Sequence, residues 1–465
     1  MAYYCYILEC ADGSFYTGWT LDPVRREKQH NSGKGAKYTK FHRPVKLVYL
    51  EEQPDRTVAM RREREIKKLT HKQKAKLVNS MNRQAEMTEQ VNEKIKILSP
   101  GRVNLLGEHV DYNDGLVLPA AIDKEVVIEA IPLAEALIRI KARDLNEAVE
   151  MTLASIAKKQ DVNGKALPGW ALYPAGVAHV LRKYLLDVNG VEAEFSSNLP
   201  IGAGLSSSAA VEVGFAVLWE RLGGWNIDRM TLAQFCQEAE VTYVGVNCGL
   251  MDQFACANGV KGSALLLDTR SLDWRPVKLP AGTCIVVADS GVRHSLVTSE
   301  YNTRHEECNE AVRILKKRKA SIKALRDASL DDLEAVRSKM SDAVYRRAKH
   351  VITEVARVFR AVELLDKGDG VGFGQLMVET HASLRDDYEV SCKETDLLVE
   401  LAMQIPGCLG ARITGGGFGG CTVNLVKEEA VEAFIAKLHD EYLKASGKDT
   451  NIFHSQAEDG ARIVA

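Results

Sequence analysis

The chain has 465 residues, of which 46% are hydrophobic and 27% charged, and it carries 12 prolines. At roughly 100 to 200 residues per domain, this length predicts two to four domains and excludes a disordered, collagen-like or low-complexity chain. No run of about 18 apolar residues exists, and Glu9 and Asp12 stand where a signal peptide would be apolar, so we expect a cytoplasmic protein without a membrane segment. The ten cysteines form no CxxC pair, which is typical of scattered thiols rather than disulfides or zinc ligands.

The formal net charge of −2 is divided unevenly along the chain. Residues 1–83 contain 18 Lys and Arg against 9 Asp and Glu, a net charge of +9, whereas residues 84–465 have a net charge of −11. A basic module joined to a larger acidic one indicates two ligands of different character, with nucleic acid a candidate for the first. A solvated lysine-rich helix would give the same charge, and charge alone does not separate the two interpretations.

The first eighty residues have the pattern of a small α/β domain. Two β-rich runs, 3–8 and 14–19, are separated by Asp12-Gly13 and predict a hairpin. The other predicted elements are a helix over 23–30, a loop over 31–35, a strand over 45–49, and a basic helix over 56–78 that breaks near Thr70. Residues 81–93 are polar and low in apolar periodicity, so we predict a linker there that ends the domain 1–80.

From residue 95 onward, short β-like segments alternate with helical stretches, and their mixed order predicts an α+β fold rather than a regular βαβ series. Buried strands are predicted at 126–130, 264–267 and 284–288, and helices at 208–221, 228–243, 300–318 and 341–366. We divide this part of the chain into two lobes, 94–275 and 276–465.

A glycine-rich segment in the first lobe, LPIGAGLSSSAA, begins at Leu199 and leads into a helix-forming run. Gly202 and Gly204 let the backbone approach a ligand, and the amides at the start of the following helix would point at an anion such as phosphate. The segment lacks the lysine of a Walker A loop. A glycine turn before a helix is also common without any ligand, so this motif alone leaves both interpretations open.

Two further loops are rich in residues suited to ligand binding. Residues 99–115, SPGRVNLLGEHVDYNDG, place charged and amide side chains close together, which suits a polyhydroxylated ligand if the loop lies in a cleft. A surface turn would have a similar composition. Residues 414–420, TGGGFGG, stand between predicted strands at 411–413 and 422–424, which favours a rigid glycine turn over a flexible linker.

The stretches GRVNLLGEHVDYNDG, LPIGAGLSSSAA and GARITGGGFGGCTVNLV resemble the three signature motifs of the GHMP kinases, in the form carried by galactokinases. Three further segments, CGLMDQFACANG, DSGVRHSLVTSEYNTRHEEC and HASLRDDYEVSCKETDLLVELA, also resemble galactokinases. The similarity runs in order from about Lys94 to near the C-terminus. It implies a two-lobed GHMP kinase fold with an active site between the lobes, which transfers the γ-phosphate of ATP to the anomeric hydroxyl of D-galactose with Mg²⁺.

The resemblance also assigns roles to individual residues. Asp252 matches the catalytic aspartate, expected to take the proton of the anomeric hydroxyl, and Arg102 matches the arginine beside it, which offsets charge on the phosphoryl group. Ser208 and Glu240 match the two protein ligands of Mg²⁺. The positions that match sugar ligands are Glu108, His109, Asp111, Gly249 and Tyr301. The positions that match the ATP phosphate loop are Gly202, Ala203, Gly204, Leu205, Ser206, Ser207, Ser208 and Ala209.

Some of these correspondences have alternatives. His109 would otherwise be a structural histidine, and Trp170 and Tyr173, which correspond to aromatics near the nucleotide base, have a spacing that also suits core packing. Val110 stands where galactokinases usually have threonine, and a hydrophobic residue there also occurs in N-acetylgalactosamine kinases. The helical extension that precedes the first motif in many galactokinases is replaced here by the short linker. The resemblance therefore specifies the reaction more closely than the sugar.

Residues 3–78 resemble the GIY-YIG endonuclease superfamily, most closely its small single-domain bacterial branch. The two name-giving elements correspond to Cys5-Tyr6-Ile7 and Tyr16-Thr17-Gly18, and the segments DPVRREKQHNSGKGAKYT and RREREIKKL follow. The resemblance implies one site in which a glutamate holds a divalent metal, an arginine binds the scissile phosphate and a tyrosine or histidine activates water. The residues at these positions are Tyr6, Tyr16, Arg26, His30 and Glu63.

Three alternatives remain at this stage. The basic module would bind nucleic acid without cleaving it, or the whole chain would be a DNA-directed nuclease whose kinase part senses a sugar or nucleotide without turnover. A third alternative is a fusion of two modules without functional coupling. The sequence does not determine the oligomeric state.

Overall fold

The computed structural model describes residues 3–71, 73, 74, 78, 94–200, 202–293 and 297–464. The chain divides into two compact units, Met1–Glu93 and Lys94–Ala465. The linker predicted over 81–93 lies outside the described residues. Both units combine helices with mainly antiparallel strands, which confirms the α+β class. Within the described residues, no helix is both long enough and apolar enough to cross a membrane.

The N-terminal unit contains one three-stranded antiparallel sheet. Its strands are β1 (Tyr3–Cys10), β2 (Phe15–Thr20) and β3 (Val45–Gln53), and its helices are α1 (Pro23–Asn31), α2 (Lys37–Lys40) and α3 (Arg56–Lys68). The strand order is β2-β1-β3, so the predicted hairpin over the first two strands is confirmed. Successive residues of β1 point to opposite faces, which places Cys5 and Ile7 in one small core and Tyr6 and Leu8 in another. Helix α3 ends at Lys68, which confirms the predicted break.

The larger unit begins with a six-stranded sheet and the helices packed on it. The strands are β4 (Ile95–Asn104), β6 (Pro119–Pro132), β7 (Ile138–Ala142), β8 (Glu147–Met151), β9 (Val191–Ser197) and β16 (Arg462–Val464). The helices are α4 (Leu153–Ile156), α5 (Leu172–Lys183), α6 (Ser207–Gly223), α7 (Arg229–Glu238) and α8 (Met251–Asn258). The strand order is β16-β4-β6-β9-β7-β8, and α6 and α8 pack on β4 and β6.

The rest of this unit is built on two smaller antiparallel sheets. The first sheet contains β12 (Thr283–Asp289), β13 (Cys408–Thr414), β14 (Cys421–Lys427) and β15 (Ile452–Ser455), in the order β13-β14-β12-β15. The second sheet contains β5 (Leu116–Val117), β10 (Ser263–Asp268) and β11 (Trp274–Lys278), in the order β11-β10-β5. The helices are α9 (Val297–Arg318), α10 (Leu330–Glu334), α11 (Asp342–Asp366), α12 (Gly370–Asp386), α13 (Lys393–Gln404) and α14 (Val431–Ser446).

One hydrophobic core extends across both predicted lobes, from Trp219 on α6 to Phe373 on α12. The C-terminal strand β16 pairs with β4, so the end of the chain lies in the sheet of the first predicted lobe. The prediction of a regular helix over 228–243 is wrong at its end, because α7 stops at Glu238 and Ala239–Val244 form a π-helical turn. The apolar periodicity continues through this wider turn and does not reveal it.

The contact between α12 and β13 requires glycine on both sides. A Cβ atom at Gly374 would lie 1.9 Å from the carbonyl oxygen of Leu409, and a Cβ atom at Gly410 would lie 2.3 Å from the carbonyl oxygen of Gly374. The two backbones therefore touch directly. This contact supports β13, the strand that leads into the glycine loop at residues 415–420.

We expect Gly374→Ala to lower the free energy of unfolding by about 1–3 kcal/mol or more, because the added methyl group forces the helix away from the strand. Denaturant unfolding of the full chain measures the change. Gly169→Ala is the matched control, since a Cβ atom there has no neighbour within 4 Å. Equal stability of the two variants would contradict the tight contact.

Candidate active site

An ion pair between Arg102 and Asp252 joins strand β4 to the first turn of helix α8. The Arg102 guanidinium donates through Nε to Asp252 Oδ1 and through Nη2 to Oδ2, both at 2.8 Å, and through Nη1 to the carbonyl of Gly204 at 2.6 Å. The hydroxyl of Ser206 donates to Asp252 Oδ2 at 2.6 Å. Arg102 is buried, whereas the Asp252 side chain remains 30% exposed. The carboxylate is therefore fixed in direction but still open on one side.

The open side of Asp252 faces a cavity of about 200 Å³. The cavity brings together the two predicted catalytic residues, all five predicted sugar ligands and the predicted metal ligand Glu240. The lining residues are Arg102, Glu108, His109, Asp111, Glu240, Val246, Asn247, Cys248, Gly249, Met251, Asp252, Tyr301, Gly415 and Gly416. Segments more than 300 residues apart in the chain thus meet at one place.

Glu108 is held from the side by a buried arginine. Its Oε2 accepts a hydrogen bond from Arg412 Nη2, and the backbone N–H of Gly415 donates to the same oxygen at 3.2 Å. Arg412 lies on β13 and has no exposed surface. The sequence does not point to Arg412. This residue joins strand β13 to Glu108, which lies in the loop of residues 105–115 after β4, here called the polar loop.

His109 lines the cavity and has one ring nitrogen without a protein partner. Its Nδ1 is 3.0 Å from the Tyr112 hydroxyl, while the buried Nε2 has no hydrogen-bond partner among the described residues. Burial, with the charges of His350 and Arg304, lowers the pKa of His109 to about 3, so the ring is neutral at pH 7. A buried polar nitrogen left without a partner is unfavourable, which indicates a ligand group in the cavity.

Asp111 and Gly249 come into close contact at the cavity wall. A Cβ atom at Gly249 would lie 1.7 Å from Asp111 Oδ2, so only glycine fits at this position. Burial, together with the negative charges of Asp252 and Glu108, raises the pKa of Asp111 to about 7. The cavity therefore holds several carboxyl groups in close proximity, a condition that favours ligands with hydroxyl donors or a cation.

The predicted phosphate loop leads into the N-terminus of α6. Gly202 and Gly204 have φ angles of 66° and 75°, and Ser206 has a φ of 61°. Ser206 occupies the N-cap position but makes no capping bond, because its hydroxyl donates to Asp252. A Cβ atom at Gly415 would lie 2.7 Å from the Gly204 carbonyl, so the two glycine loops face each other. Ile201 lies outside the described residues.

Glu240, on the π-helical turn, belongs to a buried group of polar side chains. Gln253 Nε2 donates to Glu240 Oε2 at 2.5 Å and to Glu212 Oε2 at 3.0 Å. Burial and the charge of Asp252 raise the pKa of Glu240 to about 7. Sequence reasoning missed Glu212 and Gln253, although Glu212 follows Ser208 by one helical turn and shares its face.

The polar loop is supported from behind by helix α11. Glu354 Oε1 accepts from the backbone N–H of Gly107 at 2.8 Å and of Glu108 at 3.3 Å, while Oε2 accepts from Arg357 at 2.7 Å and from Thr380 at 2.9 Å. Although burial opposes ionisation, the charges of Arg357 and His350 lower the pKa of Glu354 to about 2. The loop that carries Glu108 and His109 is thus anchored by a buried carboxylate that the sequence does not single out.

The two aromatic residues assigned to the nucleotide base do not line the cavity. The Trp170 indole N–H donates to Glu147 at 2.6 Å, and its ring packs 5.8 Å from that of Phe195. Burial and the charges of Glu240 and Glu212 raise the pKa of Tyr173 to about 12, so Tyr173 lies near the buried acidic group.

In the N-terminal unit, three of the predicted residues form one hydrogen-bonded group. The Tyr6 hydroxyl lies 3.0 Å from His30 Nε2, and Arg26 Nε donates to the same hydroxyl at 3.2 Å. Burial lowers the pKa of His30 to about 4 and raises that of Tyr6 to about 12. A Cβ atom at Gly18 would lie 2.5 Å from the Tyr6 hydroxyl, so glycine in the second element makes room for the tyrosine.

The other two predicted residues lie around this group. The Tyr16 ring is 5.0 Å from the His30 ring and 6.4 Å from the Tyr6 ring. Glu63 accepts from Lys67 at 2.8 Å, and its charge acts on the Tyr6 hydroxyl. His30 Nδ1 is 2.6 Å from the hydroxyl of Thr39, a residue that sequence reasoning missed.

Comparison with protein families agrees with this arrangement. The chain matches the family models described as GHMP kinases N terminal domain over residues 173–260, GHMP kinases C terminal over 361–444 and galactokinase galactose-binding signature over 88–132. Residues 2–76 match the GIY-YIG catalytic domain. The fold is that of the GHMP kinases, which are ATP-dependent enzymes.

Individual relatives show which family of GHMP kinases the chain resembles. The chain is 44% identical to the galactokinase of Chloroflexus aurantiacus over 350 residues, or 75% of this chain and 88% of the relative, and 40% identical to the galactokinase of Homo sapiens over 375 residues, or 80% and 92%. A crystal structure of Lactococcus lactis galactokinase complexed with galactose matches with a TM-score of 0.75 and 32% identity, over 81% of this chain and 97% of that one. The chain belongs to the galactokinase family, with a GIY-YIG domain at its N-terminal end, and both resemblances drawn from the motifs are confirmed.

We expect Glu354→Gln to loosen the polar loop, because the amide carries no charge to balance Arg357 and accepts more weakly from the Gly107 and Glu108 amides. Loss of one partner of a buried ion pair destabilises by about 3–5 kcal/mol. Hydrogen exchange at residues 105–110 measures the local effect and thermal unfolding the global one. Glu379→Gln, on the exposed side of α12, is the control. Unchanged exchange in the Glu354 variant would contradict the anchoring role.

Proposed function

We propose that the larger unit phosphorylates D-galactose at its anomeric hydroxyl, with Asp252 as the base. In this reaction the anomeric oxygen forms a bond to the γ-phosphorus of ATP, the bond from that phosphorus to the β,γ-bridging oxygen breaks, and the hydroxyl proton passes to Asp252. The products are galactose 1-phosphate and ADP. The observation that carries the proposal is the Asp252 carboxylate, which Arg102 and Ser206 hold at the edge of the cavity.

Arg102 has two roles in this proposal. Its bidentate contact orients Asp252, and its positive charge offsets the charge that develops on the phosphoryl group during transfer. Its third bond, to the Gly204 carbonyl, couples the base to the loop proposed to bind the phosphates. This loop comprises residues 202–209 and would present backbone amides at the N-terminus of α6, where the helix dipole also favours an anion.

The sugar would occupy the wall of the cavity formed by the polar loop. The unpartnered Nε2 of neutral His109 supports a hydrogen bond to a sugar hydroxyl. Glu108 and Asp111 would accept from further hydroxyls, and Gly249 and Tyr301 would complete the subsite. Preorganised polar groups of this kind fix the orientation of a polyhydroxylated ligand.

Ser208 and Glu240 would hold Mg²⁺. Glu240 lines the cavity together with Asp252, and Ser208 lies in the first turn of α6, which supports this assignment. Magnesium commonly binds through one or two carboxylates with phosphate oxygens supplying other ligands. Within the described part of the chain, no group of three or more His, Cys, Asp or Glu side chains is arranged to hold a metal ion, so the nucleotide would have to complete the coordination. When bound, the ion would neutralise charge on the nucleotide oxygens.

The preference for galactose over N-acetylgalactosamine is part of the proposal. Val110 stands where galactokinases usually have threonine, and this difference suggested N-acetylgalactosamine as the alternative substrate. The Val110 side chain is fully buried in the hydrophobic core and does not line the cavity. Its methyl groups lie against Gly115, where a Cβ atom would be 2.6 Å from Val110 Cβ. The position of Val110 therefore supports a packing role rather than a contact with the sugar.

We expect Asp252→Asn to lower kcat by a factor of about 10²–10⁴, because the amide cannot accept the hydroxyl proton. Coupled ADP release with Mg²⁺-ATP is measured with galactose, N-acetylgalactosamine, glucose, arabinose and no sugar. Asp273→Asn, an exposed aspartate of the same unit, is the control and should be fully active. Fastest turnover with N-acetylgalactosamine would overturn the choice of sugar, and absence of sugar-dependent turnover would favour a sensing role.

We further propose that the N-terminal unit is a metal-dependent nuclease. The hydrogen-bonded group of Tyr6, Arg26 and His30 carries this proposal. The Thr39 hydroxyl donates to the Ala36 carbonyl at 3.0 Å and lies 2.6 Å from His30 Nδ1. The backbone N–H of Ala36 also donates to Nδ1 at 3.5 Å, and Nε2 faces the Tyr6 hydroxyl. Arg26 would bind the scissile phosphate, Tyr16 would border it, and Glu63 would hold the divalent metal.

We expect Glu63→Ala to abolish metal-dependent cleavage of nucleic acid while sugar-dependent ADP release is unchanged. Asp252→Asn should have the opposite effect, since the two sites use different residues. Cleavage of labelled DNA and RNA by both variants, with and without Mg²⁺ or Mn²⁺, tests this separation. Loss of both activities from either single change would contradict two independent sites, and binding without cleavage by the unaltered chain would favour a purely binding module.

A further inference from the structure

The segment around α2 in the N-terminal unit is strongly basic. Residues 28–50 contain six Lys and Arg residues and no Asp or Glu. All six are exposed: Lys28, Lys34, Lys37, Lys40, Arg43 and Lys46. Among nearby acidic groups, Asp12 lies 3.5 Å from His42 Nε2. The segment therefore presents positive charge to solvent along its length, which is the charge that a phosphate backbone complements.

Exposed aromatic rings stand within this basic segment. Phe41, at the C-terminal end of α2, is 76% exposed, and Tyr38 is 46% exposed. Phe41 belongs to none of the hydrophobic clusters of the described residues. Most of the Phe41 side chain is therefore in contact with solvent and accessible to a flat partner. We name Tyr38, Phe41 and His42 the aromatic platform.

The rings of the platform are held in place and lead to the proposed nuclease site. The Tyr38 and His42 rings stack with centroids 4.4 Å apart and planes inclined by 14°. The Tyr38 hydroxyl donates to Ser14 Oγ at 2.9 Å, and His42 Nδ1 is 2.8 Å from the Tyr38 carbonyl, which fix both rings. Tyr38 also stacks on Tyr16 at 6.5 Å, and Tyr16 lies 5.0 Å from His30. A row of rings thus leads from His42 and Tyr38 of the platform through Tyr16 to His30.

We propose that the aromatic platform binds an unpaired nucleotide of a nucleic acid, next to the scissile phosphate of the proposed nuclease. A base would stack on Phe41, and the adjoining backbone would run along the exposed cations toward Tyr6 and His30. This inference rests on the proposed nucleic-acid function of the unit and specifies its substrate: a single strand, or a duplex end or junction with unpaired bases.

Stacking explains why an unpaired base is required. In a duplex the faces of the bases are covered by their neighbours, whereas an unpaired base offers a free face to an aromatic side chain. Stacking contributes affinity without depending on base identity, because every base has such a face. Phosphate contacts alone would instead bind single and double strands with a similar dependence on salt. The two contributions can therefore be separated by experiment.

The test uses the full chain and fluorescence anisotropy with labelled 20-nucleotide oligothymidine and a 20-base-pair DNA duplex, without divalent metal. We expect Phe41→Ala to weaken binding of the single strand by about tenfold, with little change in duplex binding and in the salt dependence. Phe41→Trp should restore it. Phe359→Ala removes a phenylalanine that is 53% exposed on α11 of the kinase unit and is the matched control, with no effect expected.

A double change, Lys37→Ala with Lys40→Ala, addresses the charges separately. We expect it to weaken single-strand and duplex binding together and to reduce the salt slope of single-strand binding by up to about 1.4, or about 0.7 for each phosphate that a lysine no longer neutralises. A slope unchanged by this double variant would overturn the proposed path of the backbone.

The outcomes distinguish this inference from the nuclease proposal. If Phe41→Ala binds oligothymidine as tightly as the unaltered chain while Glu63-dependent cleavage is present, the platform is wrong and the nuclease proposal stands. Selective loss of single-strand binding without any cleavage would support the platform and contradict the nuclease. Absence of binding to either nucleic acid would overturn both.

Discussion

The ion pair between the buried Arg102 and the partly exposed Asp252 is the interaction on which the geometry of the cavity depends. The guanidinium joins three separate parts of the chain: its own strand β4, the start of α8 and the carbonyl of Gly204 in the glycine-rich segment before α6. Removing a charged pair from water is unfavourable unless every donor finds an acceptor with good geometry. Here all three donating nitrogens of Arg102 are bonded, so the pair sets the distance between the base and the loop that would bind the phosphates.

The other polar side chains of the cavity are also held by hydrogen bonds to protein groups. Arg412 and the Gly415 N–H hold Glu108, and Tyr112 holds one nitrogen of His109. Glu354 secures the backbone of the loop that carries both residues. The polar atoms that these supports leave without a partner, such as His109 Nε2, are the ones to which ligand hydroxyls would bind under the proposed function. Preorganisation of this kind lets a site bind its ligand without rearranging its own charged side chains.

The two units surround their polar side chains in different ways. The kinase unit places its carboxyl groups in an enclosed cavity, where burial raises the pKa of Asp111 and Glu240 to about 7. The N-terminal unit keeps the Tyr6 and His30 pair buried but surrounds it with exposed cations and rings. The first arrangement suits a small ligand that is taken out of water, and the second suits a long anionic chain that passes over a surface. The opposite net charges of the two parts agree with this difference.

The sequence by itself determined the family, both domain types, some of the strands and helices, and eight of the residues that line the cavity. Those residues stand in short contiguous motifs, where turn chemistry and spacing are visible locally. Only the tertiary structure revealed Arg412, Glu354, Glu212 and the pairing of β16 with β4. Glu354 resembles any polar residue of an amphipathic helix, and its bond to Gly107 joins positions 247 residues apart. Local patterns report which face of a helix or strand is buried, whereas the partner of a buried charge depends on the path of the whole chain.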